Sequence, residues 1–437
     1  MALNRNLRPG EERTPKVKEF VHPPFLLCPD CGKQTFGVLM VCDRHYVRRC
    51  ITCWFDDSFP LPPIHKRIIY LDQFVISNMM KELDPEDGRA RGYYHAIFCA
   101  LDRLSSLQLI VCPDSPIHDH ESLVDSRYQK MRTVFRQLSH GVGLRDPTTL
   151  LHAAIMRALD CWLRDEECGA VGSADFAFTK KPDVWQDWYR IELNYTVPGL
   201  TNELITNREI VTEQLHHTCE EWRNDPDFSF RETFQNEIAG CGRLILQRAG
   251  RYIAHYGAVA IGQAPFDDEI CFPPPEAMLV SRMLRALEPT CANSDERFVR
   301  IREFFASKQF RSLSAVLISS LLWATIAREI NAGRKPDRFP TASMFNDIDA
   351  VAEYSPFCDA MFVDKEVSHL VKQRELRDEL GTRTRFFSLR KSEKEDFLKY
   401  LKGIEEEAGM DHLCLVEDVY GSDWPTPFVD LLASAED

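Results

Sequence analysis

Apolar residues occur along this chain in two patterns: short uninterrupted runs and longer segments with helical spacing. The stretch "KRIIYLDQFVIS" (66–77) contains an apolar, β-prone run that stops at Asp72, which predicts a buried strand. Three more strands are predicted in "LQLIVCPDS" (107–115), "DAMFVDKEV" (359–367) and "RTRFFSL" (383–389). Because segments with helical spacing lie between successive strands, the order indicates an α/β unit with a parallel sheet.

Helical spacing of apolar residues dominates the middle of the chain. Helices are predicted there over 127–140, 147–168, 183–195, 201–224, 230–260, 276–288, 295–308 and 312–332. Clusters of Pro, Gly and Asp, such as "TKKPD" and "GRKPDRFP", separate them. Shorter helices are predicted beside the strands, over 73–83, 93–106, 365–379 and 392–408, and the last begins with a capping signal.

The composition agrees with a folded chain. Its 437 residues are 44% apolar and 27% charged, which suits several sizeable cores. The first sixteen residues are polar and charged, without the apolar core of a signal peptide. The longest apolar stretch, 313–327, is too short to span a bilayer. We therefore expect a soluble, cytoplasmic protein with no membrane partner.

The charge is distributed unevenly. The chain has 53 basic and 67 acidic residues, but residues 1–54 hold nine basic and five acidic ones. Overall acidity weakens non-specific attraction to phosphates and still permits a local basic surface. The charge therefore argues mildly against a protein that coats DNA, without excluding nucleic-acid binding.

Clustered cysteines predict a metal site before the first strand. The chain has fifteen cysteines and no export signal, so clustered ones are interpreted first as metal ligands. In "CPDCGKQTFGVLMVCDRHYVRRCITC", Cys28 and Cys31 form one Cys-x2-Cys pair, and Cys50 and Cys53 form a second. Two such turns can direct four thiolates at one tetrahedral ion, which predicts structural Zn²⁺ in a zinc ribbon.

Two further candidate ligands lie between these pairs. Cys42 and His45 form a Cys-x2-His pair on the predicted ribbon hairpin, and one of them could replace an outer cysteine, although the outer four are favoured. Arg44, Arg48 and Arg49 would make one side of the ribbon basic and suited to phosphate contacts. The alternative is a ribbon that only packs against the next domain.

Acidic residues gather at the predicted strand ends. Asp72 ends the first strand, Glu121 follows the second, and Asp359 and Asp364 flank the third. Carboxyl ends of parallel strands open into one crevice, and carboxylates that converge there repel one another unless a divalent cation is present. Oxygen-only ligands suit Mg²⁺ or Mn²⁺, and such a site activates water and neutralises charge on a phosphodiester.

Simpler interpretations exist for several of these residues. Asp72 also fits a turn former or a helix N-cap. On the helix before the third strand, either Asp347 or Asp349 could supply a supporting carboxylate. His118 and His120, on either side of Asp119 and next to Glu121, are expected to face solvent more than to bind a transition metal.

The acidic segments together resemble the PIN-like nuclease family. The resemblance is carried by "IIYLDQFVIS" with Asp72, "PDSPIHDHESL" with Glu121, and "NDIDAVAEYSPFCDAMFVDKEV" with Asp347, Asp359 and Asp364. It implies a parallel sheet flanked by helices and metal-dependent cleavage of RNA, or sometimes DNA. It also implies that these five acids are catalytic, with Mg²⁺ or Mn²⁺ held by Asp72, Glu121, Asp359 and Asp364. The sequence departs from the family where Gln73 and Phe74 follow Asp72, because many members have a hydroxyl residue and Asn there.

The resemblance divides the chain into four parts. Residues 1–62 form a tail and the zinc ribbon, 63–125 the first part of a PIN-like domain, 126–339 an all-helical insertion, and 340–437 the second part of the domain. The insertion is a candidate surface for a protein partner.

The expected function is therefore that of a metal-dependent endonuclease with a nucleic-acid substrate, RNA being favoured over DNA. The alternative is a catalytically inactive PIN-like module that binds nucleic acid or protein, for which Gln73 and the acidic insertion are the support. Carboxylate clusters also serve phosphatase-like chemistry on small phosphate esters.

Overall fold

Two four-stranded sheets organise the computed structural model, which describes residues 20–122, 127–168, 174–187, 200–336, 339–380 and 384–432. The first sheet is antiparallel with the order β1-β2-β3-β4, and the second is parallel with the order β6-β5-β7-β8. Their strands are β1 His22–Leu27, β2 Gln34–Cys42, β3 His45–Cys50, β4 Asp56–Pro60, β5 Arg67–Leu71, β6 Ile110–Val111, β7 Ala360–Phe362 and β8 Arg385–Phe387. The predicted α/β architecture with a parallel sheet flanked by helices is confirmed.

Helices flank the parallel sheet and fill the middle of the chain. They are α1 Gln73–Leu83, α2 Tyr93–Ser106, α3 Pro116–Ser122, α4 Tyr128–Ser139, α5 Pro147–Leu163, α6 Ala174–Ala177, α7 Leu200–Asn224, α8 Phe230–Ala260, α9 Asp268–Cys271, α10 Pro275–Ala286, α11 Ser294–Ala306, α12 Lys308–Arg311, α13 Ser314–Asn331, α14 Ser343–Asp349, α15 Lys365–Val371, α16 Arg374–Leu380, α17 Lys391–Glu406 and α18 Met410–Tyr420. A π-helical turn, Ala350–Tyr354, and a 3₁₀ turn, Ser355–Phe357, continue α14.

Strand β5 lies inside the parallel sheet, between β6 and β7, and this position explains its apolar sequence. Ile68 and Tyr70 belong to a core shared with α13, α14 and α15. Ile69 and Leu71 belong to the core on the other face, shared with α1, α2, α4 and α17. Because successive strand residues point to opposite faces, a strand covered on both sides has an uninterrupted apolar run.

The parallel sheet joins segments that are far apart in sequence. Strands β5 and β6 precede the long helical region, whereas β7 and β8 follow it. Helices of that region have a core of their own around Ile155, Ile245 and Phe304. Helix α13 contributes Val316 to this core and Leu322 to the core under the sheet, so it joins the helical region to the sheet.

The N-terminal sheet (β1–β4) packs against the C-terminal helix α18. Val38 and Tyr46 of the sheet share a small core with Val416 and Val419 of the helix. Trp185 packs into the same core. The N-terminal sheet is therefore attached to the rest of the protein through apolar packing.

A buried arginine reinforces this attachment. Arg48 is only 2% exposed, and its guanidinium donates to the carbonyl oxygens of Pro24 at 2.8 Å and Phe36 at 3.3 Å, and to that of Asp418 in the last turn of α18. The expectation that Arg48 lies on a basic, phosphate-binding face is wrong. The guanidinium instead satisfies backbone carbonyls, including one at the negative end of a helix dipole.

Other local predictions also differ from the structure. The strand predicted over 107–115 is reduced to β6, because Gln108 adopts a positive φ of 61° and Pro113 cannot donate to a ladder. The helix predicted over 365–379 is two helices, α15 and α16. Helix α17 begins one residue before the predicted cap and has no side-chain cap.

Some elements were not predicted, and one prediction is only partly tested. Strands β1 and β4 and helix α18 were not predicted from the sequence pattern. Residues 183–187 of the helix predicted over 183–195 are not helical, and the remainder lies outside the described residues. Within the described ranges, no helix combines the length and hydropathy required to cross a membrane.

Candidate functional sites

Asp72 lies where β5 ends and α1 begins. Its backbone N–H donates to the carbonyl oxygen of Phe362 at 3.0 Å, which extends the pairing between β5 and β7 by one bond. Its side chain is the N-cap of α1, because Oδ1 accepts from the Phe74 N–H at 3.2 Å. The N-cap interpretation of Asp72 is therefore correct. It does not exclude a second role, since a carboxylate has further lone pairs.

Asp364 occupies the equivalent place on the neighbouring strand. It follows β7 closely and is the N-cap of α15, with Oδ1 accepting from the Val367 N–H at 2.6 Å. The Asp364 amide also faces the Asp72 carboxylate and favours its ionised form. Strand β6 lies on one side of β5 and β7 on the other, so the connections leave β5 in opposite directions. A crevice at such a switch point is where open α/β sheets bind ligands.

Glu121 and Asp347 come to this crevice from two helices. Glu121 lies on α3, which follows β6, and Asp347 lies on α14. Asn346 Nδ2 donates to Glu121 Oε1 at 3.0 Å, so the two helices are joined beside the carboxylates. Asn346 was missed by the sequence reasoning, and its position next to Asp347 was the only signal that could have identified it.

The electrostatics show that these four acids are neighbours. Burial, and then repulsion by Glu121 and Asp364, raises the pKa of Asp72 well above its usual value. Burial, and then the negative charges of Asp72, Glu121 and Asp364, does the same to the pKa of Asp347. Burial, and then Glu366, raises the pKa of Asp364 despite its N-cap hydrogen bond. Bringing the acids together is therefore unfavourable unless protons or a cation reduce the negative charge.

The structure does not bring Asp359 to this cluster, and its expected role as a metal ligand is wrong. Asp359 precedes β7, so it lies at the amino end of the strand, whereas the other acids lie at the carboxyl end of the sheet. Its carboxylate accepts from the Ile68 N–H at 2.8 Å and pairs with Arg67 at 3.3 Å. Asp359 therefore stabilises the pairing between β5 and β7 at the amino ends of these strands, away from the other acids.

The choice between Asp347 and Asp349 is resolved by helix geometry. Asp347 and Asp349 are two positions apart on the helix, which corresponds to a rotation of about 200° around its axis. Their side chains therefore point in nearly opposite directions. Asp347 faces the acids at the sheet edge, whereas Asp349 faces Asp146. Of the two, Asp347 is therefore the one that lies with the other acids.

The expectation of a solvent-facing His118 is wrong. Its side chain is 1% exposed and stacks between Tyr70, with ring centroids 5.0 Å apart, and Phe135, at 4.5 Å. Nδ1 lies 3.3 Å from Asp114 Oδ1. His118 is thus part of the core behind the site, and the side chain of His120 lies outside the described residues.

The four outer cysteines meet at one point of the N-terminal sheet. The Sγ atoms of Cys28 and Cys53 are 3.5 Å apart, those of Cys31 and Cys50 are 3.7 Å apart, and all four lie within 4.8 Å of one another. Four sulfurs around a tetrahedral ion with bonds of about 2.3 Å would be separated by roughly 3.8 Å. The cysteines therefore lie close enough to bind a metal.

Both cysteine pairs belong to the same kind of turn. Gly32 and Trp54, each four residues after the first cysteine of its pair, have φ values of 69° and 68°. Their N–H groups donate to the carbonyl oxygens of Cys28 at 2.9 Å and of Cys50 at 3.0 Å. Glycine adopts a positive φ at little cost, whereas Trp54 adopts it without the freedom of glycine.

The two thiols of the second pair differ: burial and hydrogen bonds with the other thiols raise the pKa of Cys53, whereas the pKa of Cys50 is lowered. Burial opposes the charged form, but the Thr35 hydroxyl and the Cys53 and Thr52 amides outweigh it and lower the pKa of Cys50 to about 6. Thiolates are the form of cysteine that binds metal ions.

Cys42 and His45 do not belong to the cysteine cluster. They pair across the turn between β2 and β3, whereas Cys50 pairs near the other end of these strands, opposite Phe36. His45 is exposed and Cys42 is half-buried. The outer four cysteines are therefore the candidate ligand set.

Among the described residues, these cysteines form the only group of three or more His, Cys, Asp or Glu whose ligand atoms already lie close enough to share an ion. The acids at the sheet edge are near one another but less tightly assembled. Comparisons of the chain with protein-family models, curated proteins and solved structures gave no match.

Proposed function

We propose that this protein is a metal-dependent endonuclease of PIN-like architecture that cleaves phosphodiester bonds. The observation that carries the proposal is the meeting of Asp72, Glu121, Asp347 and Asp364 at the crevice between β5 and β7. The preference for RNA over DNA rests on the resemblance to PIN-like nucleases. On the same resemblance, the helical region between β6 and β7 is an insertion in the nuclease domain.

The donor set at the crevice fits Mg²⁺ or Mn²⁺. It consists of oxygen ligands only, which are the ligands these cations prefer. The N-cap bonds of Asp72 and Asp364 use one lone pair of each carboxylate and leave others for a cation. A bound Mg²⁺ or Mn²⁺ would activate water and neutralise charge on the phosphodiester.

The protein residues have separate tasks in this proposal. Asp72 and Asp364 hold fixed positions because each begins a helix directly after a buried strand. Asn346 orients Glu121 through its hydrogen bond, and Asp347 adds negative charge beside them. Together they concentrate negative charge that would hold a divalent cation, and the cation would offset the repulsion of the phosphodiester.

We propose Zn²⁺ for the cysteine site. Four cysteines complete a tetrahedral site and leave no position for a substrate, which is typical of structural zinc. Bound zinc would stabilise the short N-terminal sheet, which has a small core of its own around Phe36. The N-terminal sheet and the helical region would then position the strand to be cut or bind a protein partner.

The proposal is tested by incubating the purified protein with labelled single-stranded RNA and DNA, with and without added Mn²⁺ or Mg²⁺. We expect internal cleavage only with the added cation, and faster cleavage of RNA. Cleavage that does not depend on the cation, or hydrolysis of small phosphate esters only, would contradict it.

Two observations favour a second function, that of a binding module without turnover. The carboxylates are less tightly assembled than the cysteines, and Gln73 replaces the hydroxyl residue that many PIN-like nucleases have after the first Asp. Such a module would bind nucleic acid or a protein partner, and cleave neither RNA nor DNA with any divalent cation.

A further inference from the structure

A cavity separate from the acidic crevice lies between the N-terminal sheet and the edge of the parallel sheet. Its volume is about 840 Å³, which is in the range of small-molecule sites. Its wall includes Lys66, the end of α4, the segment 180–187, and α18 with the residues that follow it. Lys66 precedes β5 and Asp72 follows it, so at about 3.3 Å per residue roughly 20 Å separate the two sites.

A buried lysine is part of the cavity wall. Lys66 is 2% exposed, and Nζ donates to Gln108 Oε1 at 3.1 Å. No carboxylate of the described residues is hydrogen-bonded to this ammonium group. Burial therefore lowers the pKa of Lys66 to about 7, against the opposing effect of Asp183. An anion bound beside Lys66 would favour its charged form and accept a charge-assisted hydrogen bond from it.

A second buried donor lies next to the ammonium group. Gln186 Oε1 accepts from Gln108 Nε2 at 3.2 Å, but Gln186 Nε2 is buried and has no acceptor among the described residues. Gln108 cannot provide one, since Oε1 already accepts from Lys66 and from the Gln186 N–H at 3.2 Å. Among the described residues this donor therefore lacks an acceptor, which a ligand could supply.

The remaining charges of the wall also favour an anion. Arg136, Lys180 and Lys181 line the cavity together with Lys66. Of the acids in the wall, Asp102 accepts from Gln137 Nε2 at 2.7 Å and from the Phe428 N–H at 2.8 Å, and Asp187 accepts from the Val41 N–H at 3.1 Å. The third, Asp423, is exposed to solvent.

Aromatic rings supply the apolar part of the wall. Trp424 stacks on Tyr420 with ring centroids 5.0 Å apart. Trp424 Nε1 donates to the Ser106 carbonyl oxygen at 2.9 Å, and the Tyr420 hydroxyl donates to that of Gln186 at 2.7 Å. Because these polar atoms already have partners, the two side chains offer mainly ring surface to a ligand.

We propose that this cavity is a binding site for a nucleoside phosphate. The phosphate is bound by Lys66 with Arg136, Lys180 and Lys181, and by the Gln186 amide. The base lies against the aromatic wall around Trp424. The site is independent of the nuclease proposal, because none of these residues belongs to the acidic crevice.

The test uses the full-length, zinc-loaded protein and AMP as the probe, in buffer without Mg²⁺ or Mn²⁺. Calorimetry should show saturable binding of AMP, and weaker binding of adenosine and of inorganic phosphate. Lys66→Met should weaken AMP binding by about 10- to 100-fold, the value of a hydrogen bond to a charged group. The melting temperature of the Lys66→Met variant should stay the same or rise, because methionine fills a similar volume without a buried charge.

Two controls and a second test variant make the outcome decisive. Lys399→Met, on the exposed face of α17, and Asp72→Asn, in the crevice, should leave AMP binding unchanged. Lys180→Ala, at the exposed mouth, should weaken it by a smaller factor and gives a second variant if Lys66→Met fails to fold. The proposal is overturned if AMP does not bind at about 1 mM, if adenosine binds as tightly, or if neither lysine variant weakens binding.

Discussion

The backbone N–H of Asp72 donates to the carbonyl oxygen of Phe362 at 3.0 Å, so the end of β5 is bonded to the end of β7. Asp364 comes two residues after Phe362, and its amide faces the Asp72 carboxylate. The pairing of β5 with β7, which this hydrogen bond extends, therefore brings together two acids that are almost 300 residues apart in the sequence. The crevice can form only when both segments of the sheet are present.

The cysteine cluster predicts about one zinc ion per chain. Cys50→Ser removes a ligand whose Sγ lies 3.7 Å from that of Cys31, so zinc content and solubility should fall together. Elemental analysis of freshly purified protein measures the first effect. Cys42→Ser, on the same sheet but outside the cluster, should keep its zinc, and a parent protein without zinc would contradict the assignment.

The sheet topology predicts that the fragment 1–130 does not fold. It contains β5 and β6 but lacks β7, which pairs with β5 through Ile69, Tyr70 and Leu71. It also lacks the Asp418 carbonyl that Arg48 binds. We expect the fragment to be insoluble on expression or, if soluble, to be unfolded by circular dichroism. A cooperative thermal transition of the fragment would instead indicate an independent domain.

Glu353 predicts a pH dependence of stability away from the crevice. The side chain is buried, and burial, followed by Asp349 and Asp146, raises its pKa well above the usual value. The folded protein then binds this proton more tightly than the unfolded chain. This raised pKa makes the free energy of unfolding fall as pH rises from about 4.5 towards the folded-state pKa.

Glu353→Gln removes this ionisation, so its melting temperature should fall less than that of the parent between about pH 5 and pH 8. Each unit by which the folded-state pKa is raised corresponds to about 1.4 kcal/mol in the free energy of unfolding. Glu406→Gln, exposed on α17, is the control and should follow the parent. Identical slopes for the parent and Glu353→Gln would show that Glu353 is not a buried acid.

Much of the architecture follows from local pattern. The helices over 201–224 and 230–260 were predicted almost to the residue, because Pro, Gly and Asp clusters separate long segments of helical spacing. Asp72, Glu121 and Asp364 were grouped because each follows a predicted strand, and the carboxyl ends of parallel strands share one edge of the sheet. The cysteine site followed from spacing alone, since each Cys-x2-Cys turn is local.

One error comes from a contact that spacing does not encode, and another from overlooking strand direction. Arg48 is buried by α18, a helix almost 370 residues later in the chain, and nothing near Arg48 in the sequence indicates this partner. Asp359 was grouped with Asp364 because both flank one strand. Strand direction, however, puts a residue before the strand at the opposite edge, and this could have been inferred from the sequence.

The last prediction concerns Asp72. Asp72→Asn removes the negative charge and keeps nearly the same shape, and asparagine caps a helix about as well as aspartate. If the crevice holds a catalytic cation, cleavage should fall by at least about 100-fold, equivalent to 2.7 kcal/mol of activation free energy. The melting temperature without added cation should hold or rise, because the amide relieves repulsion by Glu121 and Asp364.

The matched control for this prediction is Asp359→Asn, the same substitution at the opposite edge of the sheet. Its side-chain oxygen can still accept from the Ile68 N–H, while the ion pair with Arg67 is lost. A partly exposed ion pair contributes at most about 1 kcal/mol, so cleavage should remain close to that of the parent. Cleavage assays and thermal unfolding of the two variants beside the parent separate the two edges. If Asp72→Asn cleaves as fast as Asp359→Asn, Asp72 serves only as a helix cap and the nuclease proposal loses its central residue.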